Sequence, residues 1–389
     1  MFAQVVNISL SNVLEKYKNF YVLDNECLRD KIALEIHYEN KEKNLIDLIA
    51  KFLGTQIFKF NANKNFNKVL LINSKENIKL ILNRLNSNNE KFEILNVTYE
   101  NYERIKLEHH YSINNKVLSF FKSLVMGILN VTPDSFYDGG KYSDVEIAFK
   151  HAVEMIESGA NIIDIGGESS RPGANQISLE EELRRTIPII KLLREYSKDI
   201  FISIDTVKSE VAREALLNGA DIINDISGFN FDIRMRSVVK EFNVPYVLMH
   251  IKGNPGNMQE NPGYDNVVSE IYEYFYNKIE ELNSIGFNKI IIDPGIGFGK
   301  RMQDNYEIIQ RLDEFKGLGY PIAVGLSNKS LIGKPLELKI NERTNATTSL
   351  ETTCLSKGVN IIRTHNVKNT VEINKLYKFI SNPNELINV

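Results

Sequence analysis

A chain of 389 residues is longer than one ordinary domain and suits an α/β barrel of ~250 residues with an added module. Hydrophobic residues make up 43% and charged residues 25%, and the formal net charge of −3 argues against a nucleic-acid surface. Cys27 and Cys354 stand far apart without metal-type spacing, which argues against a disulfide framework and for a reducing compartment.

In chain order, the opening Met-Phe-Ala-Gln-Val-Val-Asn lacks the basic stretch and apolar core of a signal peptide. No apolar run approaches the ~20 residues of a membrane helix, so a soluble cytoplasmic protein with no membrane partner is expected. Residues 1–118 are rich in Asn and Lys and poor in Gly and Pro. There Lys31–His37 and Lys68–Ile72 predict strands, Lys43–Leu53 and Lys75–Leu85 have helical spacing, and Phe92–Val97 fits a third strand. We expect a small α/β module, an appended packing or oligomer-contact domain with no phosphate loop or acidic metal pair. Glu108-His109-His110 is expected in a solvated loop, because three adjacent side chains do not easily face one metal.

Residues 119–389 read differently. Apolar strand candidates are Leu124–Leu129, Ile162–Ile165, Ile200–Ile204, Asp221–Ile223, Tyr246–Met249, Lys289–Ile292, Ile322–Val324 and Asn360–Ile362. Helical patterns such as Val145–Glu157, Leu179–Tyr196, Val267–Leu282 and Asn345–Lys357 lie between them, and Thr370–Ile380 closes the run. Alternating strands and helices imply parallel pairing, and eight units imply a (β/α)8 TIM barrel preceded by the small α/β domain. An open doubly wound sheet is disfavoured, since no Gly-x-Gly-x-x-Gly turn follows the first strand.

Each strand ends in polar residues, and in a barrel the carboxyl ends face the site. They are Asn130, then Gly166 to Gly173 (Gly-Gly-Glu-Ser-Ser-Arg-Pro-Gly), Asp205-Thr206, Asn224-Asp225, Met249-His250, Asp293 to Lys300, Gly325 to Ser330, and Arg363-Thr-His365. Asp205, Asn224 and Asp293 are acceptors suited to a flat heterocycle with an amino group and ring N–H, such as a pterin or purine, with Lys329 balancing charge. Arg171, Arg363 and His365 with Gly-rich turns make a candidate anion site. Asn130 offers a neutral hard oxygen fit for Mg²⁺ that keeps most of its water or phosphate ligands.

Sharper motifs fail. Gly295 to Lys300 lacks the Walker spacing, having Pro294 and Arg301 where Gly and Ser or Thr belong. Gly325-Leu-Ser327-Asn-Lys329 lacks the last Gly of a nucleophile elbow. The aromatic run Tyr272, Tyr274, Phe275 and Tyr276 is expected to pack in the outer layer.

From about 124 to 380 the chain resembles the dihydropteroate synthase family. The resemblance rests on Gly127 to Phe136 (Gly-Ile-Leu-Asn-Val-Thr-Pro-Asp-Ser-Phe), Asp164 to Ala174, Ile204-Asp-Thr206, Ile223-Asn-Asp225, Met249 to Gln259, Asp293 to Lys300, Ser327 to Ser330 and Arg363-Thr-His365. It implies condensation of 6-hydroxymethyl-7,8-dihydropterin diphosphate with p-aminobenzoate, giving 7,8-dihydropteroate and pyrophosphate, and a homodimer. By the same resemblance Asp205, Asn224, Asp293 and Lys329 hold the pterin, with Asp164 and Met249 lining its pocket. Asn130, Arg363 and His365 meet Mg²⁺ and the diphosphate. Ser170, Arg171, Pro172, Phe136, Phe298 and Ser330 shape the p-aminobenzoate site. The family usually has Arg where Asn328 stands, often Thr at Ser170, and commonly Asp at Asn366. Two other readings use the same pocket: a methyltetrahydrofolate barrel serving a cobalamin protein, and a pterin binder without catalysis.

Overall fold

The computed structural model describes residues 1–21, 31–39, 42–43, 49, 57–60, 67–104, 109–113, 115–131, 144–171, 173 and 176–388. They form two compact units: Met1–Ile105 with Val268–Tyr272 and Arg311–Gly319, and Lys106–Val267 with Glu273–Gln310 and Tyr320–Val389.

The first unit is built on β1 (Phe2–Val6), β2 (Lys31–Tyr38), β3 (Ile57–Phe60) and β4 (Asn67–Ser74), an antiparallel sheet in the order β1-β2-β4-β3. Strand alternation splits its apolar residues between two cores. Leu34, Ile36, Val69 and Leu71 join Ile78, Leu82, Leu95 and Tyr99 from two helices, while Ala33, Leu70 and Ile72 join Val13 and Tyr17 from the helix Ser11–Phe20. Mid-strand Glu35 is buried, accepting from Tyr17 Oη at 2.6 Å and pairing with Lys68 at 3.2 Å. Burial opposes its charge, yet Lys68, His37 and Tyr17 hold the carboxyl below the usual range.

The strand expected at Phe92–Val97 is a helix, Glu93–Glu103, entered through a short 3₁₀ turn. Phe92, Leu95, Tyr99 and Tyr102 are the buried apolar positions, with Thr98 beside them, a helical spacing that outlasts the short alternation at its start. Asn89 starts the 3₁₀ turn Glu90–Phe92 by accepting from Lys91 N at 3.0 Å. The expected helix Lys43–Leu53 lies almost wholly outside the described residues.

The second unit opens with a hairpin, β5 (His110–Ile113) and β6 (Lys116–Ser119). His110 is thus in a strand rather than a loop, though exposed, because Tyr111, Ile113 and Leu118 alternate inward. The hairpin sits against the amino ends of barrel strands: Tyr111 Oη donates to Ile290 O at 2.6 Å and Lys116 Nζ to Asp221 Oδ2 at 2.6 Å.

Eight parallel strands follow: β7 (Leu124–Asn130), β8 (Ile162–Gly166), β9 (Phe201–Asp205), β10 (Ile222–Asp225), β11 (Tyr246–Met249), β12 (Ile290–Asp293), β13 (Ala323–Gly325) and β14 (Ile361–Thr364). Their order is β12-β11-β10-β9-β8-β7-β14-β13, and a parallel bridge from Ile292 to Ile322 joins the two edges. The sheet closes as a TIM barrel, with helices such as Leu179–Tyr196 and Thr344–Ser356 between strands. In the aromatic run, Tyr272 and Phe275 are buried, as packing requires. Among the described residues no helix is long and apolar enough to cross a membrane.

Candidate active site at the barrel mouth

Register assembles the site. Asn130 lies opposite Gly166, Gly166 opposite Asp205, and Asp205 opposite Asn224, so their side-chain positions share the inner face of the barrel. Asp164, two residues before Gly166, points the same way one layer deeper. Its Oδ2 accepts from Asn224 Nδ2 at 3.0 Å and from Arg363 Nε at 2.6 Å. Arg363 Nη2 donates to Asp205 Oδ2 at 2.6 Å. Four residues expected in the site, from β8, β9, β10 and β14, therefore form one bonded network. Among the described residues Asp164 Oδ1 is buried without a hydrogen-bond partner, an acceptor awaiting a donor.

Burial controls the electrostatics of the mouth. It pushes the Asp205 carboxyl up to about 7 against the pull of Arg363. It likewise raises Asp293, opposed by Lys329, and lowers the Lys329 ammonium to about 8, opposed by Asp293. Burial, followed by the charge of Arg363, lowers His365 to about 4. At neutral pH His365 is an uncharged hydrogen-bonding group, its Nδ1 3.1 Å from Ser327 Oγ.

The loop after β12 folds back on itself. Asp293 Oδ1 accepts from Gly295 N at 2.8 Å, and Gly295 has φ +67, where a Cβ would stand 2.0 Å from His250 O. Only glycine fits there. Buried Lys300 donates to the carbonyls of His250, Gly295 and Phe298 at 3.2, 2.9 and 2.9 Å. The lysine of this Gly-rich run thus staples its own loop. Lys329 Nζ donates to Ile296 O and lies 4.8 Å over the Phe298 ring. Phe298 packs on the apolar cluster of Ile226, Met249, Ile251 and Met258. Acceptors thus crowd one part of the mouth, and an apolar wall beside the Lys329 ammonium stands at another.

Other expected site residues do not converge. Ser170 lines a cavity of about 190 Å³ with Asp205, whereas Ser330 lines a different one of about 500 Å³ with Gly297 and Lys300. Arg171 is exposed, near enough to His365 to lower its basicity. Phe136 and Pro172 lie outside the described residues. Asp225 points away from its neighbour Asn224 and is consumed by Ser227, the Phe229 amide and Tyr246.

One contributor was not singled out from the sequence. Lys208 Nζ donates to Glu168 and, at 2.5 Å, to Glu182 Oε2, tying the loop that carries Ser170 to the helix Leu179–Tyr196. Its position three residues after Asp205 was the available signal.

The comparisons agree with this geometry. The pterin binding enzyme family matches residues 126–365. A dihydropteroate synthase from Synechocystis sp. is 45% identical over 258 residues, 66% of this chain and 89% of that protein. The Yersinia pestis dihydropteroate synthase, solved with a sulfonamide drug complex, superimposes with a TM-score of 0.67 at 37% identity, covering 70% of this chain and 99% of that one. The Xanthomonas albilineans dihydropteroate synthase with 4-aminobenzoic acid has a TM-score of 0.67 at 36% identity over 71% and 99% of the two chains. The chain belongs to the pterin binding enzyme family and, within it, to the dihydropteroate synthases.

Proposed function

We propose that this enzyme condenses 6-hydroxymethyl-7,8-dihydropterin diphosphate with p-aminobenzoate to give 7,8-dihydropteroate and pyrophosphate. The carrying observation is the network of Asp164, Asn224, Asp205 and Arg363, which presents buried acceptors, one unpartnered, beside a fixed guanidinium. A pterin supplies the missing donors through its amino group and ring N–H, with Asp293 as a further acceptor and Lys329 meeting the ring's own acceptors. Met249, in the apolar cluster with Ile226, Ile251 and Met258, gives the ring an apolar wall.

In the reaction the C–O bond between the pterin methylene and the diphosphate breaks, and pyrophosphate leaves with the bonding pair. The amine nitrogen of p-aminobenzoate forms the C–N bond and releases its proton to water. An aromatic amine is a competent nucleophile in its neutral form, so no side chain need activate it. Carboxylates beneath the ring ease positive charge developing on the pterin, while Arg363 and His365 stand on the diphosphate side. Ser170, Arg171, Pro172, Phe136, Phe298 and Ser330 are our assignment for p-aminobenzoate.

Asn130 fits a role in holding Mg²⁺. Asn130 Oδ1 and Asp205 Oδ2 each stand 3.7 Å from where a Cβ on Gly166 would lie, so the absent side chain leaves room before two hard oxygens. Among the described residues no three His, Cys, Asp or Glu converge for a metal, which suits an ion held largely by substrate oxygens and water. Mg²⁺ there would neutralise charge on the departing pyrophosphate. We further read the protein as a cytoplasmic homodimer, on the family resemblance and the isolated, buried Cys354.

Inhibition by a sulfonamide tests the assignment of the amine site. A rise in apparent KM for p-aminobenzoate, with kcat unchanged, is expected. Inhibition competitive with the pterin diphosphate alone would overturn it.

A further inference from the structure

Lys329 opens a short helix, Ser330–Gly333, so the aim of its ammonium depends on how the turn before that helix is held. Asn328, which makes the turn, has φ +62, a left-handed conformation that asparagine tolerates better than most side chains. Beyond the helix Leu338 N donates to Gly333 O at 2.9 Å, after Glu337 at φ +54. Two non-glycine residues in that region within one loop persist only where their surroundings hold them.

Arg343, at the start of the helix Thr344–Ser356, holds both ends of this loop. Its Nη1 donates to Asn328 O at 2.7 Å and, more weakly, to Lys329 O at 3.5 Å. Its Nε and Nη2 donate to Leu338 O at 3.2 and 3.1 Å. A planar guanidinium with several donors can fix carbonyls on two sides at once, which an ammonium on a flexible stem does not. The loop is shaped to receive it. A Cβ on Gly333 would lie 2.2 Å from Arg343 Cζ and 2.3 Å from its Nε, so the guanidinium fills the space a side chain would take. Gly333 is helical, without a positive φ, so it is the guanidinium and not the backbone that excludes a larger residue there.

We propose that Arg343 is a positioning residue of the synthase, clamping the Asn328–Lys329 peptide so that the Lys329 ammonium is aimed into the barrel mouth. The inference rests on the synthase reading, in which Lys329 meets the acceptors of the pterin ring. From the clamped main chain, Lys329 Nζ reaches Ile296 O and stands over the face of Phe298. Without the clamp the Asn328 carbonyl is free to turn, and the start of the lysine side chain turns with it. A displacement of about 1 Å at a reacting site can lower a rate by up to ~100-fold. Arg343 acts only through the backbone it holds.

The test compares wild type, Arg343→Met, Gly333→Ala and the double variant, each as the full chain, by kcat/KM for the pterin diphosphate. Each single change should lower it by about 30-fold. The double variant should lie within about twofold of Arg343→Met, because Gly333→Ala acts by expelling a guanidinium that is already absent. Effects that multiply overturn the proposal, as does an Arg343→Met enzyme within about threefold of wild type. Gly333→Ala keeps the arginine and its charge, so it carries the prediction alone where Arg343→Met does not fold. The alkaline limb of the pH profile separates positioning from stability. Burial lowers the Lys329 ammonium to about 8, and a lysine released toward water should move that limb upward in both single variants. A limb that stays in place while Tm falls would overturn the positioning role. Where wild type itself makes no product, the same comparison in Kd for the pterin diphosphate, read by calorimetry, tests the clamp. Failure of the synthase reading is then separately visible.

Discussion

Arg363, at the end of the last barrel strand, donates from Nη2 to Asp205 on β9 at 2.6 Å while its Nε holds Asp164 on β8 at the same distance. A planar fork can bridge two carboxylates in this way, and a lysine ammonium presents a point charge without that geometry. Arg363→Lys should therefore lower kcat/KM for the pterin diphosphate by about 100-fold despite keeping the charge. Steady-state kinetics checks this, and a loss under threefold would contradict the positioning role.

His365 supplies a pH test. Its folded pKa lies near 4, below the unfolded value of about 6.5, because burial and Arg363 disfavour the imidazolium. The stability it contributes is thus present above pH 6.5 and is lost as pH falls through 4. The Tm difference between wild type and His365→Gln should narrow steadily from pH 7 to pH 4. A constant difference would show that the imidazole titrates normally.

The latch from Lys208 to Glu168 and Glu182 anchors the loop bearing Ser170 and Arg171. Lys208→Met combined with Glu182→Gln removes the latch without leaving buried Glu182 charged and unpaired. KM for p-aminobenzoate should rise about tenfold, with KM for the pterin diphosphate within about twofold, because only the amine-side loop loosens. Parallel rises in both constants would place the effect on the whole site.

Gly295→Ala should destabilise the protein by about 3 kcal/mol, since a left-handed residue with a Cβ costs ~1–2 and forced overpacking ~1–3. The obstacle is the His250 carbonyl, a backbone atom with little freedom to withdraw. Urea denaturation measures the difference, and a change below about 1 kcal/mol would mean that the loop re-forms around the methyl group.

The barrel was legible because fully buried parallel strands read as short apolar runs between helical patterns. Tyr246–Met249 matches to the residue, and most other strands run on to a polar end such as Asn130, Asp205 or Asp293. Those residues carry the site yet still pair in the ladder, so hydrophobicity alone stops short of them. In the first unit Phe2–Val6 passed unread, and Phe92–Val97 showed a brief alternation inside a helix. Asp164, Asp205, Asn224 and Arg363 were each visible at or near a strand end, but their bonding to one another depends on register across β7 to β14.

The most direct test of the synthase account is product stoichiometry. The purified chain is mixed with dihydropterin diphosphate, p-aminobenzoate and Mg²⁺, and dihydropteroate and pyrophosphate are measured together. The account predicts equal formation of both, abolished by EDTA and restored by added Mg²⁺. Pterin binding without either product would contradict it and identify a catalytically silent pterin binder.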